Sequence, residues 1–154
     1  MAKEKDKVQF NYNKITPNIY LGTNMCCQTH FEKKLLAKGI TLDVSLEGER
    51  IDKPYGIGYY LWLPTRDHTA PSMQKLHMGV HCISVAICEK EKVYVHCKNG
   101  HGRAPTMVAA YLIKHKNMSA TEAVLYIKKR RPEIHPEPSQ KKRLEQWEKY
   151  CRKS

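Results

Sequence analysis

The sequence lacks several things, and each absence removes a class of protein. No apolar run approaches the roughly 20 residues that a membrane-crossing helix requires, and no hydrophobic segment follows the N-terminal lysines as it would in a secretory signal. No arginine occurs before Arg50, unlike an arginine-rich transit peptide, so the expected location is cytoplasmic. The six cysteines (Cys26, Cys27, Cys82, Cys88, Cys97 and Cys151) include no CxxC pair, which argues against a zinc ribbon. Without a secretory signal they read as reduced thiols rather than a disulfide framework. Acidic residues are scarce, 15 against 27 lysines and arginines, and the resulting net charge of +12 selects anionic partners. No internal repeat is visible.

What is present fits one globular domain. A chain of 154 residues, 41% hydrophobic, builds a single core. The lysine-rich start, "MAKEKDK", is the expected frayed end, giving a flexible segment over residues 1–10 and one domain over 11–154.

Residues 15–23 read as a strand entered through Pro17 and ended at Gly22, and 29–39 as a short helix closed by Gly39. Residues 40–47 alternate, with Ile40, Leu42, Val44 and Leu46 on one face, which predicts a strand; 56–65 is a second β-rich run. A helix of about 18 residues follows, with Leu76, Val80, Ile83 and Ile87 at helical spacing. His77, His81 and Cys88 share a stripe on it, read as a solvated flank rather than a zinc face. Residues 92–97 are a buried strand feeding a helix apolar on nearly every face. Ser119 and Glu122 form a capping box for the next helix, which Pro132 ends, and Ser139 is the expected cap of a last helix with Leu144, Trp147 and Cys151 inward. Strands alternating with helices predict a three-layer α/β/α domain with a mostly parallel central sheet, which binds ligands beyond the carboxyl ends of its strands.

At such an end stands "HCKNGHGRAPT". A cysteine with an arginine six residues on is weak evidence alone. Here Cys97 closes a buried strand, Gly100 and Gly102 can take positive φ angles that turn N–H groups inward, and Pro105 opens a helix whose N-terminus faces the loop. That assembly is an anion cradle. It favours Cys97 as a thiolate nucleophile, and Arg103 offers a planar fork that matches two phosphoryl oxygens. Lys98, Asn99, Gly100, His101, Gly102 and Arg103 are the expected phosphate-binding residues. Thiolate attack on a phosphate ester also needs an acid for the departing oxygen. Asp67, in "LPTRDHTAPS" at the carboxyl end of the preceding strand, is better placed than Asp43, within a strand, or Asp52, on an earlier loop.

"HCKNGHGR" after "VYV", with "TMVAAYLI" behind and "LPTRDHTAP" ahead, resembles the dual-specificity branch of the cysteine-dependent protein tyrosine phosphatases, and "ITPNIYLG" is similar to that family's first strand. "VYVHCK" and "TMVAAYLI" are most similar to its mitochondrial phosphatidylglycerophosphate phosphatase subgroup. The resemblance implies a phosphocysteine intermediate at Cys97, phosphate held by Arg103, and Asp67 acting first as acid and then as base. It implies that His96 tunes Cys97, and it calls for neither cofactor nor metal. Cys26 and Cys27 could protect an oxidised Cys97 through a disulfide, as in related enzymes, with buried packing as the other reading. The family usually carries Ser or Thr after the arginine to stabilise the departing thiolate. Here the residue is Ala104, so slow phosphoenzyme breakdown is expected, with Thr106 the nearby hydroxyl.

Lys98 and His101 add charge to the loop in a pattern similar to inositol-lipid phosphatases. The expected partner is a phosphorylated protein or a phospholipid substrate. The basic runs at 128–131 and 141–143 raise an anionic membrane surface or RNA as further partners. The rival functions are a non-catalytic phosphate-binding module and an RNA 5′-triphosphatase of the same fold.

Overall fold

The computed structural model describes residues 8–153. Five strands form one sheet: β1 (Tyr12–Thr16), β2 (Ile19–Gly22), β3 (Ile40–Glu47), β4 (Tyr59–Thr65) and β5 (Lys92–His96). Their spatial order is β1-β2-β5-β3-β4. All neighbours are parallel except the β1–β2 pair at one edge. The helices are α1 (Lys33–Leu36), α2 (Met73–Cys88), α3 (Arg103–His115), α4 (Ala120–Arg130) and α5 (Pro138–Lys153). No helix is long and apolar enough to cross a membrane among the described residues.

The two faces of the sheet are unlike. Leu21, Leu42, Val44, Val93 and Val95 enter the main core, beneath α2, α3, α4 and α5. The other face is covered by α1 and the segment before it, where Cys26, Cys27, Phe31 and Leu35 pack on Tyr20 and Tyr94. Alternation of this kind in β3 ordinarily leaves the polar residues facing solvent. Instead its polar residues Asp43, Ser45 and Glu47 are as buried as its apolar ones, and they mark the underside of a site.

Helix α3 is the central support. Its residues from Arg103 to Ile113 are all buried, so its apolarity on every side is what its surroundings require. It packs against α2, α4 and α5, and Trp147 on α5 donates its Nε1–H to the carbonyl of Ala110 at 2.9 Å.

Several local expectations are corrected. The strand expected over 15–23 is a hairpin, because Pro17 sits in the turn between β1 and β2 rather than at a strand entrance. The helix expected over 29–39 shrinks to the four residues of α1, capped by the Glu32 side chain. Helix α3 begins at Arg103, with Pro105 inside its first turn, where a missing N–H does no harm. Ser139 lies inside α5 rather than capping it, and its hydroxyl reaches the carbonyl of His68. His77 is not a solvated flank, since its ring meets Trp147 and Tyr150 edge-on at 4.8 and 4.7 Å. Cys26 and Cys27, expected as separate thiols, are paired with each other. The expected frayed segment falls mostly on residues 1–7, outside the described residues, while Phe10 packs against Tyr12.

Candidate active site

Strand β5 runs out at His96, so Cys97 emerges at the carboxyl end of the sheet's central strand. The backbone then doubles back through Gly100, whose φ of 70° suits glycine. A Cβ there would also stand 2.7 Å from the Gly22 carbonyl oxygen and 2.9 Å from Arg131. Gly102 departs from expectation, with φ of −132°. Its reason is space: a Cβ would sit 2.8 Å from the Gln140 side chain. Arg103 then opens α3, placing a helix N-terminus against the loop.

Arg103 is 2% exposed. Its Nη1 donates to Glu49 Oε1 at 2.5 Å and to the Thr65 carbonyl at 2.8 Å, while Nη2 reaches Glu49 Oε2 at 3.1 Å and lies 3.4 Å from Asp67 Oδ1. Burial works against its charge, but Glu49, Cys97 and Asp67 outweigh burial and hold its pKa above the usual value. Nε, equally buried, has no hydrogen-bond partner among the described residues. One edge of the guanidinium is therefore fixed by protein, and Nε is left as a donor to an incoming oxyanion.

Asp67 stands in the turn after β4, about half exposed, its Oδ1 accepting the His68 N–H at 2.9 Å. Together with Cys97, Asn99, His101, Gly102 and Arg103 it lines one cleft. Lys98 is exposed and outside that lining; its backbone carbonyl instead accepts the Asn24 N–H. Ala104 is fully buried, and Thr106 donates its hydroxyl to the Gly102 carbonyl at 2.7 Å, committing that hydrogen to the loop backbone.

Behind Cys97, His96 is fully buried, with Nε2 3.0 Å from Asp43 Oδ1 and 3.3 Å from Asp52 Oδ2. Burial pulls its pKa down, yet the two carboxylates raise it to about 10, which favours a positively charged imidazole beside Cys97. Asp52 is correspondingly lowered, since His96 and Arg50 outweigh its burial. These two aspartates serve His96.

Four further residues that contact the cleft or its loop are not singled out by the sequence. Glu49 orients Arg103; it follows the carboxyl end of β3, the place where site residues gather in such sheets. Arg131, fully buried, donates from Nε to the Gly100 carbonyl and from Nη2 to the Asn99 carbonyl, holding both oxygens away from the cleft. Gln140 joins the acid loop to the phosphate loop, donating to the Thr69 carbonyl while packing on Gly102. His135 stands beside His101 at the rim, ring centroids 4.9 Å apart, and its N–H donates to the His101 carbonyl.

A cysteine at the end of the central strand, an anion-binding loop closed by a buried arginine, and an aspartate across the cleft define the fold and site of a cysteine-dependent phosphatase. The chain belongs to the dual specificity phosphatase, catalytic domain family, whose model matches residues 19–150. It is 38% identical over 89 residues to the phosphatidylglycerophosphate phosphatase PTPMT2 of Arabidopsis thaliana, covering 57% of this chain and 39% of that protein. It is 43% identical over 90 residues to the mouse phosphatidylglycerophosphatase and protein-tyrosine phosphatase 1, covering 58% of this chain and 47% of that one. The matched region thus spans less than half the length of these curated relatives. The crystal structure of PTPMT1 superposes with a TM-score of 0.81 at 30% identity, covering 93% of this chain and 97% of that one. Human DUSP28 shares the fold, with a TM-score of 0.83 at 22% identity.

Proposed function

We propose that this chain hydrolyses phosphate monoesters through a phosphocysteine, without a metal in the chemical steps. The observation that carries this reading is Arg103: buried, charged, fixed along one edge by Glu49 and Thr65, with Nε left unpartnered, and lining one cleft with Cys97 and Asp67. The Cys97 thiolate attacks phosphorus while the ester P–O bond breaks and Asp67 gives its proton to the departing oxygen. Water then attacks the phosphocysteine, Asp67 takes its proton, and the P–S bond breaks to restore the thiolate. Loop N–H groups, the α3 N-terminus and Arg103 stabilise the charge spread over the phosphoryl oxygens in both steps.

A phospholipid monoester or a phosphoprotein is the proposed substrate class. Relatives bearing the names phosphatidylglycerophosphate phosphatase and dual specificity protein phosphatase support both, and PTPMT1 has been crystallised with PI(5)P. They favour monoester hydrolysis over the RNA 5′-triphosphatase reading. Location in the cytoplasm is part of the same proposal.

Ala104 offers no hydroxyl to the leaving thiolate, and Thr106 has spent its hydrogen on Gly102, so the second step is the slow one. Rapid mixing with p-nitrophenyl phosphate, with no metal added, tests the scheme. A burst of nitrophenol followed by slow turnover, lost in Cys97→Ser and faster in its second phase in Ala104→Ser, is expected. No release above background in either wild type or Ala104→Ser would instead identify a phosphate-binding module.

A further inference from the structure

On the sheet face opposite α3, four donor groups converge that no step of the reaction touches directly: the sulfurs of Cys26 and Cys27, the carboxylate of Asp43 and Nε2 of His96. One donor atom from each lies within 4.8 Å of all the others, and all four residues are buried. We propose that this cluster is a structural site for a thiophilic divalent cation, zinc by its donor set, occupied when the cysteine pair is reduced.

The donor chemistry comes first. Two thiolates, an imidazole and a carboxylate suit a tetrahedral ion of intermediate softness. The spacing agrees. With bonds of about 2.0–2.3 Å, neighbouring donors around tetrahedral zinc stand roughly 3.3–3.8 Å apart. Here His96 Nε2 is 3.0 Å from Asp43 Oδ1 and 3.6 Å from Cys27 Sγ. Small outward movements of these side chains open the central position.

Two further observations point at a missing ligand. Asp43 is 0% exposed; its Oδ1 pairs with His96 Nε2 at 3.0 Å, while Oδ2 has no hydrogen-bond partner among the described residues. A buried carboxylate left so is uncommon, and a bound cation answers it. His96 is also turned as a metal-binding histidine is. Its Nδ1 faces the Cys97 carbonyl at 3.4 Å and Nε2 points toward the cluster.

The charges balance closely. Binding brings in two positive charges and releases three protons, one from each thiol and one from Nε2, so the cluster changes by a single unit. The Cys26–Cys27 disulfide blocks the site. A thiol reductant, itself oxidised to its disulfide, converts the pair to two thiols and opens it. An ion there ties the turn after β2 to β3 and β5 directly beneath the nucleophile. The ion makes no contact with substrate, and the proposal stands whether or not the chain is a phosphatase.

The test uses Cys97→Ser protein, which removes the active-site thiol as a competing ligand. It is purified under a phosphine reductant from cells grown with added zinc, its metal is counted by mass spectrometry, and the zinc is exchanged for Co²⁺. One equivalent of zinc is expected, with a thiolate-to-cobalt charge-transfer band and the visible bands of a tetrahedral centre. Both should vanish in Cys26→Ser/Cys27→Ser, and Asp43→Asn should bind tenfold or more weakly. Absence of stoichiometric metal overturns the proposal, and so does binding that survives the double substitution. Should the double variant fail to fold, Cys97→Ser protein is compared with the pair oxidised and reduced. Equal binding in both states overturns the site, and binding confined to the reduced state supports it.

Discussion

Arg131 holds the phosphate loop from below: its Nε donates to the Gly100 carbonyl at 3.0 Å and its Nη2 to the Asn99 carbonyl at 2.9 Å. With those oxygens turned down, the loop can present its N–H groups to an anion. Arg131→Met leaves two carbonyls without donors and is expected to lower stability by about 2–5 kcal/mol. In urea unfolding Arg131→Lys should recover only part of that, because a lysine cannot serve both carbonyls in one plane. Vanadate affinity should fall alongside; unchanged affinity in a folded Arg131→Lys protein would remove the loop-shaping role.

Glu49 and Arg103 make a second prediction. The carboxylate fixes Nη1 and Nη2 and leaves Nε for substrate, so it orients the guanidinium rather than blocking it. Glu49→Ala should lower kcat/KM for p-nitrophenyl phosphate about 10- to 100-fold, the range expected when a positioned group is loosened. An increase would show that Glu49 competes with phosphate.

Asp67 separates leaving groups. Asp67→Ala should reduce kcat for an alkyl phosphate by about 10²–10⁴, because the alkoxide must leave unprotonated. The loss should be much smaller for p-nitrophenyl phosphate, whose phenolate departs without help. Equal losses on both substrates would move the acid role elsewhere.

Much of this was legible in the sequence, for physical reasons. Val93, Val95 and the apolar face of β3 carry their own periodicity, and the loop glycines lie next to the residues they position. What stayed hidden depends on partners far along the chain. Glu49 lies 54 residues from Arg103, and Arg131 lies 31 from Gly100. The antiparallel β1–β2 pairing was missed because Pro17 suits a strand entrance and a turn equally well. Ser139 resembled a cap because nothing in its own segment reveals that α5 has already started at Pro138.

His101 gives a prediction about acid. Its burial, with His135 and Arg131 beside it, holds its pKa below the ordinary 6.5, and only Glu133 pulls the other way. The group makes no difference well above that value. As pH falls through 6.5 the unfolded chain takes up the proton more readily than the folded one, so the native state loses stability. His101→Gln should therefore lose less stability than wild type between pH 7.5 and 5.5 in urea titrations. Equal losses would mean the ring protonates as freely in the native loop as in the unfolded chain.

Arg103, the proposed phosphate ligand, is also the first residue of α3, a helix wrapped by the main core. The reactive loop consequently has no hinge of its own at that end. The amides of α3 from Thr106 onward, hydrogen-bonded and wrapped by the core, should exchange with deuterated solvent only when the whole domain opens, so this end of the loop is anchored to one of the slowest-exchanging parts of the molecule. Substrate then arrives at a surface already shaped, and whatever opens and closes during turnover must come from the more exposed Asp67 side of the cleft.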